Sequence, residues 1–199
     1  MSWINIIPFE KAEGKLKKLY ERVTGPNNNV DNIMMVHSLR SNTMEGHMAI
    51  YKKVLHHSDN TLPKWYLETI GVYVSILNHC EYCIDHHFEG LKRLLNDNNK
   101  ASKIKEELKV NSFNELSIAY AEGLKYAEKL TVNPSELKEE DINKLKENGI
   151  SDAEILEINQ VVSYFNYANR TVLGLGVTTK GDILGLSPNS SQEDNWKHQ

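Results

Sequence analysis

The chain has few cysteines, no long apolar run and no excess of positive charge. Two cysteines among 199 residues are too few for a disulfide framework, which leaves redox chemistry or metal binding for the pair. No segment approaches the run of about eighteen apolar residues that a membrane helix needs, and the N-terminus lacks a secretory signal pattern. A formal net charge of -4 argues against nucleic acid as a partner. The sequence therefore predicts a cytoplasmic protein that binds neither nucleic acid nor a membrane.

Composition and periodicity indicate a single compact, all-α domain. Hydrophobic residues make up 40% of the chain and charged residues 25%, as in globular proteins. Apolar side chains recur at three- and four-residue spacing in successive segments, and no alternating strand pattern competes. We predict that the domain covers residues 1–186 and that a polar, loose tail follows over 187–199.

Turn residues and capping residues mark the ends of the predicted helices. Gly25–Asn29 ends the opening helix, and Ser41–Asn42 divides two helices between Asp31 and His57. Further helices are predicted from Pro63 to Leu77, from near Cys80 to Leu95, from Lys103 to Leu108, from Asn114 to Leu130, from Pro134 to Gly149, and from the Ser151 and Glu154 capping box to near Gly174.

Cys80, Cys83 and His87 are the residues with the clearest chemical potential. At positions i, i+3 and i+7 of a helix they share one face. The first turn of a helix stabilises a thiolate through its unpaired N–H groups and its dipole. His87 could accept the thiol proton, and the neighbouring cysteine could convert an oxidised sulfur into a disulfide. These three parts fit the reduction of a peroxide.

Glu68 is an unusual charge among the apolar residues of the preceding helix. A buried carboxylate needs a partner, and the imidazole of His87 can serve directly or through water. Such a contact would make a proton relay of carboxylate, imidazole and thiol. The alternative is a solvated charge on the polar face of the helix.

Other interpretations of these residues remain open at the level of sequence. The cysteines can be two small buried side chains without chemistry. A zinc site is also possible, built from Cys80, Cys83 and His87 with His79, His86 or Glu68 as the fourth ligand. For Tyr82, between the cysteines, core packing is favoured over a contact of its hydroxyl with the relay. The polar set Asn166, Asn169 and Arg170 either lines a site or serves to cap backbone and join subunits.

The order and spacing of these residues resemble the core motif of the alkylhydroperoxidase D-like (AhpD-like) group within the carboxymuconolactone decarboxylase superfamily. Glu68 is followed after eleven residues by Cys-Glu-Tyr-Cys and then by Ile-Asp-His-His. The opening segment IPFEKAEGKLKKLYERV and the late segment YFNYANRTVLGLGV resemble the branch called peroxidase-related enzymes. The likeness covers roughly residues 5–186.

This resemblance implies an AhpD-like helical bundle that assembles as a trimer or hexamer and reduces hydroperoxides without a bound cofactor. A dithiol reductant protein or a small thiol would restore the enzyme. The resemblance assigns Cys83 as the peroxidatic nucleophile, Cys80 as the resolving cysteine, His87 as the base and Glu68 as the carboxylate that orients it. The best-studied members carry a histidine where this chain has Tyr82.

Two further functions stay open beside the thiol peroxidase. A decarboxylase or isomerase-like enzyme acting on a cyclic lactone belongs to the same superfamily, although that chemistry does not need a redox pair. A non-catalytic redox-sensing helical module would use the disulfide only to change a protein interface.

Overall fold

A computed structural model describes residues 2–188 and 196–198 of the chain. Within these ranges the secondary structure is helical, apart from one isolated β-bridge between Pro188 and His198. The α-helices are α1 (Gly14–Val23), α2 (Asn32–Met35), α3 (Ser41–Tyr51), α4 (Lys64–Leu77), α5 (Glu81–Leu95), α6 (Asn98–Lys109), α7 (Ile118–Val132), α8 (Glu139–Glu147) and α9 (Asp152–Leu175). The all-α fold predicted from the sequence is confirmed.

Helix α4 forms the centre of the bundle. All ten of its residues from Tyr66 to Ser75 are buried, as expected for a helix that is apolar on nearly every side. Helices α5, α7 and α9 pack around it. Gly71 allows a close approach of α9, because a Cβ atom there would lie 2.2 Å from the ring of Phe165 on α9. Any residue between Tyr66 and Ser75 is therefore held in a tightly packed environment away from solvent.

The turn between α4 and α5 positions the cysteines. His79 takes a left-handed conformation with a φ of 56°, and the Cys80 N–H donates to the carbonyl of Ser75 at 2.8 Å. The side-chain amide of Asn78 donates to the amide oxygen of Asn169 on α9 at 2.9 Å. The turn is thus fastened both to α4 and to α9.

Some helices begin at positions that periodicity alone did not predict. The sequence predicted a helix over Lys103–Leu108, whereas α6 begins at Asn98 because Asp97 accepts a hydrogen bond from the Lys100 N–H at 2.9 Å. The helix predicted from Pro134 is divided, since a short 3-10 turn precedes α8. The residues at these helix starts are polar, so the spacing of apolar residues does not show where the helices begin.

The chain after α9 crosses back over the domain. Gly176 ends α9 in a left-handed conformation with a φ of 61°. The carboxylate of Asp182 then accepts the Asn32 backbone N–H, with 3.1 Å to each oxygen. The side chain of Asn32 donates back to the carbonyls of Thr178 at 2.8 Å and Lys180 at 3.0 Å. These contacts fix the segment to the start of α2.

The described residues near the C-terminus are packed against the domain. The ring of Trp196 lies 3.9 Å from the Arg22 guanidinium, and the His198 N–H donates to the carbonyl of Thr24 at 3.2 Å. The sequence predicted a loose tail from residue 187. The structure instead buries Trp196 and His198, while residues 189–195 and 199 lie outside the described part of the chain.

Within residues 2–188 and 196–198, none of the helices has both the length and the apolar character needed to cross a membrane.

Replacing Gly71 with alanine is expected to destabilise the protein. The added Cβ would collide with Phe165, and overpacking of this kind costs about 1–3 kcal/mol. Gly174→Ala is the matched control, because Gly174 lies on α9 with no atom within 4 Å of an added Cβ. Helix propensity predicts that this control gains up to about 1 kcal/mol. Urea denaturation of both variants measures the difference, and equal stabilities would contradict the packing of α4 on α9.

Candidate active site

The two cysteines lie at the start of α5, one just outside the helix and one in its first turn. Cys80 is the N-cap residue, with φ of -97° and ψ of 83°, and Cys83 follows inside the helix. Both are free thiols and both are buried. The sequence predicted that Cys80 shares a helical face with Cys83 and His87. The non-helical backbone of Cys80 limits that relation to Cys83 and His87.

A hydrogen bond between the two thiols shifts their pKa values in opposite directions. This bond lowers the pKa of Cys80 and raises the pKa of Cys83 well above its ordinary value, and burial adds to the increase at Cys83. The side-chain amide of Asn169 also hydrogen-bonds to both sulfurs and favours their ionised forms. In this hydrogen bond the Cys83 thiol is the donor and the Cys80 sulfur is the acceptor.

Glu68 and His87 meet across the interface of α4 and α5. The distance from His87 Nδ1 to Glu68 Oε2 is 2.7 Å, and the Glu68 side chain is 4% exposed. Burial opposes ionisation of Glu68, but the charge of His87 and its hydrogen bond outweigh burial and lower the pKa of the carboxyl. An ionised carboxylate only accepts hydrogen bonds, so Nδ1 of His87 is the donor. In neutral His87 this leaves Nε2 unprotonated and able to take a proton.

A cavity of about 50 Å³ lies beside these groups. Cys83, Glu68 and His87 contribute to its walls, whereas Cys80 is not part of the described lining. The remaining polar lining consists of one further acid, three further histidines, three tyrosines and one serine: Asp31, His47, His86, His198, Tyr51, Tyr82, Tyr164 and Ser187. The cavity thus joins one of the two sulfurs to the carboxylate and imidazole that the sequence predicted.

A second polar cluster borders the same cavity, and the sequence analysis did not identify its central residue, Asp182. The Asp182 carboxylate accepts a hydrogen bond from the Tyr82 hydroxyl at 2.6 Å and lies 3.2 Å from His86 Nε2. Tyr82 also accepts the Ile33 N–H at 3.1 Å. Its ring is buried, as the sequence favoured, and its hydroxyl serves this cluster. Asp182 lies in a loop without periodicity, so the sequence contained no signal for it.

Asp31 faces this second cluster and is partly buried. Loss of solvent raises its pKa from 3.8 to about 7, the charge of His86 opposes that increase and the charge of Asp182 adds to it. Near neutral pH the Asp31 carboxyl is therefore protonated in part of the molecules and ionised in the rest.

The polar residues of α9 support the cysteine turn. Asn169 is fully buried and donates to the Ser75 hydroxyl at 3.1 Å, besides its contacts with the sulfurs. Asn166 accepts from Asn78 at 3.1 Å and from Arg170 at 2.7 Å. Of the three residues that the sequence singled out, Asn169 reaches the thiols, while Asn166 and Arg170 brace the turn behind them.

No cluster of three or more His, Cys, Asp or Glu side chains is arranged to hold a metal ion in the part of the chain that the structure describes. The zinc site that the sequence left open therefore has no ligand set among those residues.

Asp31→Asn is expected to change the pH dependence of stability. Between about pH 4 and pH 7 the folded chain keeps a proton that the unfolded chain has released, so the contribution of Asp31 to the free energy of unfolding falls as the pH rises. The variant should be more stable than the wild type by on the order of 1–3 kcal/mol near pH 8 and similar to it near pH 4.

Denaturant titrations at the two pH values measure this difference. Asp59→Asn provides the control, because the Asp59 side chain is 86% exposed. Its effect on the free energy of unfolding should be the same at both pH values. A constant effect of Asp31→Asn across this range would contradict the raised pKa.

Comparison with solved structures identifies proteins of the same fold. An uncharacterised peroxidase-related protein from Ralstonia eutropha JMP134, described as an alkylhydroperoxidase AhpD core, superposes with a TM-score of 0.75 at 20% identity, over 89% of this chain and 92% of that one. A peroxidase-related protein from Silicibacter sp. TM1040 gives a TM-score of 0.73 at 22% identity, over 89% and 91%.

A cysteine-to-alanine variant of the debrominase Bmp8, in complex with 2,3,4-tribromopyrrole, gives a TM-score of 0.64 at 15% identity, over 83% of this chain and 81% of that one. Comparisons with protein-family models and with curated proteins returned no match. The chain therefore has the all-helical AhpD-like fold that these solved proteins share.

Proposed function

We propose that the protein is a thiol peroxidase that reduces hydroperoxides at Cys83. The observation that carries this proposal is the shared cavity of Cys83 and His87, in which His87 lies 2.7 Å from the buried carboxylate of Glu68. A nucleophile, a proton acceptor and a group that orients the acceptor are the parts expected of such a site. The AhpD-like fold supports the same activity.

Activation of Cys83 requires a proton to leave the sulfur that borders the cavity. At rest the thiol of Cys83 donates to Cys80, whose pKa is lowered by this bond. Once Cys80 has lost its own proton to solvent, its thiolate can take the proton of Cys83 and leave Cys83 ionised. Nε2 of neutral His87 offers a second acceptor. Glu68 stabilises the imidazolium that forms when His87 takes the proton.

The proposed reaction proceeds in three balanced steps. The Cys83 thiolate attacks the terminal oxygen of the hydroperoxide, so that an S–O bond forms, the O–O bond breaks, and the leaving oxygen takes a proton to give an alcohol or water. Cys80 then attacks the sulfenic sulfur, which forms a disulfide and releases water. A dithiol protein or two small thiols finally reduce the disulfide and become oxidised themselves.

The two cysteines are expected to respond differently to replacement by serine. Cys83→Ser should abolish reaction with hydrogen peroxide. Cys80→Ser should still form a sulfenic acid at Cys83, but at least about tenfold more slowly, because one of the two proton acceptors is gone and only His87 remains. Stopped-flow oxidation and mass spectrometry after dimedone trapping measure both outcomes. An unaltered oxidation rate in Cys83→Ser would remove its proposed role.

Turnover separates this proposal from the redox-sensing alternative. A peroxidase should consume many equivalents of peroxide when a dithiol is supplied. A single slow equivalent per chain would favour a sensor that uses the disulfide only to change its surface.

Glu68→Gln is expected to slow the oxidation of Cys83 and to change its pH profile. A glutamine cannot stabilise the imidazolium of His87, so the Cys83 proton has to leave to solvent instead, and the raised pKa of Cys83 then governs the reaction. We therefore expect a loss of about 10–100-fold and a profile that requires higher pH. Glu106→Gln is the control, because the Glu106 side chain is 69% exposed. A slower rate with an unchanged profile would indicate that Glu68 only supports the structure.

A further inference from the structure

The cavity beside Cys83 is closed on one side by the chain that follows α9. Residues Gly185, Leu186 and Ser187, which we call the roof, and His198 all contribute to its lining. The predicted domain, residues 1–186, includes Gly185 and Leu186, whereas Ser187 and His198 belong to the predicted tail. All four residues contribute to the site.

Close contacts hold the roof against α5. Gly185 has a φ of 75°, and a Cβ atom there would lie 2.6 Å from Glu89 Cβ and 3.2 Å from the Gly90 backbone nitrogen. Gly90 in turn faces Glu68, whose carboxyl carbon would lie 3.6 Å from a Cβ at that position. The roof therefore rests directly on the part of α5 that lies over the Glu68 carboxylate.

Two further contacts fasten the ends of the roof. Arg93 of α5 donates to the Ser187 hydroxyl at 2.6 Å. On the other side, Asp182 holds the approach to the roof through Tyr82 and Asn32. Its side chain is only 1% exposed. The roof is thus tied to α5 and to the start of α2.

The volume under the roof limits what can reach Cys83. A site of about 50 Å³ holds roughly three or four groups the size of water. A cavity that binds benzene is larger, at about 150 Å³. The lining supplies the hydroxyl and imidazole groups that a small peroxide needs for its hydrogen bonds. A ring such as a bromopyrrole or a cumyl group does not fit without displacing the roof.

We propose that the roof restricts the substrates of Cys83 to hydrogen peroxide and hydroperoxides of similar size. This inference rests on the proposed peroxidase function and names its substrate class. Leu186 is the specificity-determining residue, because it is the largest side chain of the roof and lines the cavity. Its Cδ1 atom packs 2.8 Å from the position that a Cβ of Gly25 would take, so the domain holds it in place.

The test compares two oxidants and two alkylating reagents of different size. Hydrogen peroxide and cumene hydroperoxide probe substrate choice, and the oxidation of Cys83 is followed by stopped flow. Iodoacetamide and N-phenylmaleimide probe access to the same sulfur without peroxidase chemistry, and mass spectrometry of peptides assigns the modified cysteine. The wild type should react at least about tenfold faster with the smaller member of each pair, after correction for the reactivity of a small free thiol.

Leu186→Ala should increase the rate with each large reagent by about tenfold and change the rate with each small reagent by less than about threefold. Ile183→Ala is the matched control: it removes an exposed aliphatic side chain of the same segment that does not contribute to the described lining, and it should leave both ratios unchanged. Gly185→Ala offers a second way to displace the roof, because the added Cβ would collide with Glu89. Like Leu186→Ala, it should increase the rate with the large reagents relative to the rate with the small ones.

Equal rates of wild type with large and small reagents would overturn the inference, as would identical ratios in Leu186→Ala and Ile183→Ala. A protein that discriminates between the alkylating reagents but reacts with neither peroxide would retain the roof as a size filter. That result would contradict the proposed peroxidase function instead.

Discussion

The hydrogen bond between Glu68 and His87 is the constraint on which the site depends. Glu68 belongs to the most buried helix of the bundle, where an ionised carboxylate is stable only with a partner. His87 supplies that partner at 2.7 Å and fixes which side of α5 faces α4. Cys83 lies one helical turn before His87, so the same contact places the sulfur at the cavity. Packing and chemistry therefore depend on one polar contact inside an apolar interface.

The start of α5 separates two sulfurs that are close in sequence. Cys80 precedes the helix, is held by the Ser75 carbonyl and does not contribute to the described lining of the cavity. Cys83 lies inside the helix and borders the cavity. Both sulfurs are buried, and the pKa is raised at Cys83, which lines the cavity, and lowered at Cys80, which does not. The hydrogen bond between the thiols keeps the two sulfurs close enough to interact directly.

The sequence predicts the parts of the site that follow from helical spacing. The position of Glu68 among apolar neighbours allowed two interpretations, a carboxylate that contacts His87 and a solvated charge, and the structure has the first. The exact start of α5 was not predictable from spacing, and a one-residue difference gives Cys80 a non-helical backbone. Asp182 could not be found at all, because it lies 100 residues from its partner Tyr82 in a loop without periodicity. Contacts of that kind arise only when the whole chain is packed.

Tyr82, the tyrosine between the cysteines, helps to position the start of α5 and is poorly suited to proton transfer to or from the thiols. Its hydroxyl donates to Asp182 and accepts from the Ile33 N–H, so both of its hydrogen-bonding roles are satisfied away from the sulfurs. Burial, with the charge of Asp182 second, raises the pKa of Tyr82 well above its ordinary value, which keeps the hydroxyl protonated. A group held in this way is a poor acid or base for the thiols at neutral pH. Tyr82 instead connects the first turn of α5 to Asp182, in the segment that leads into the roof. The same hydrogen bond therefore helps to hold both the cysteine pair and the wall of the cavity in place.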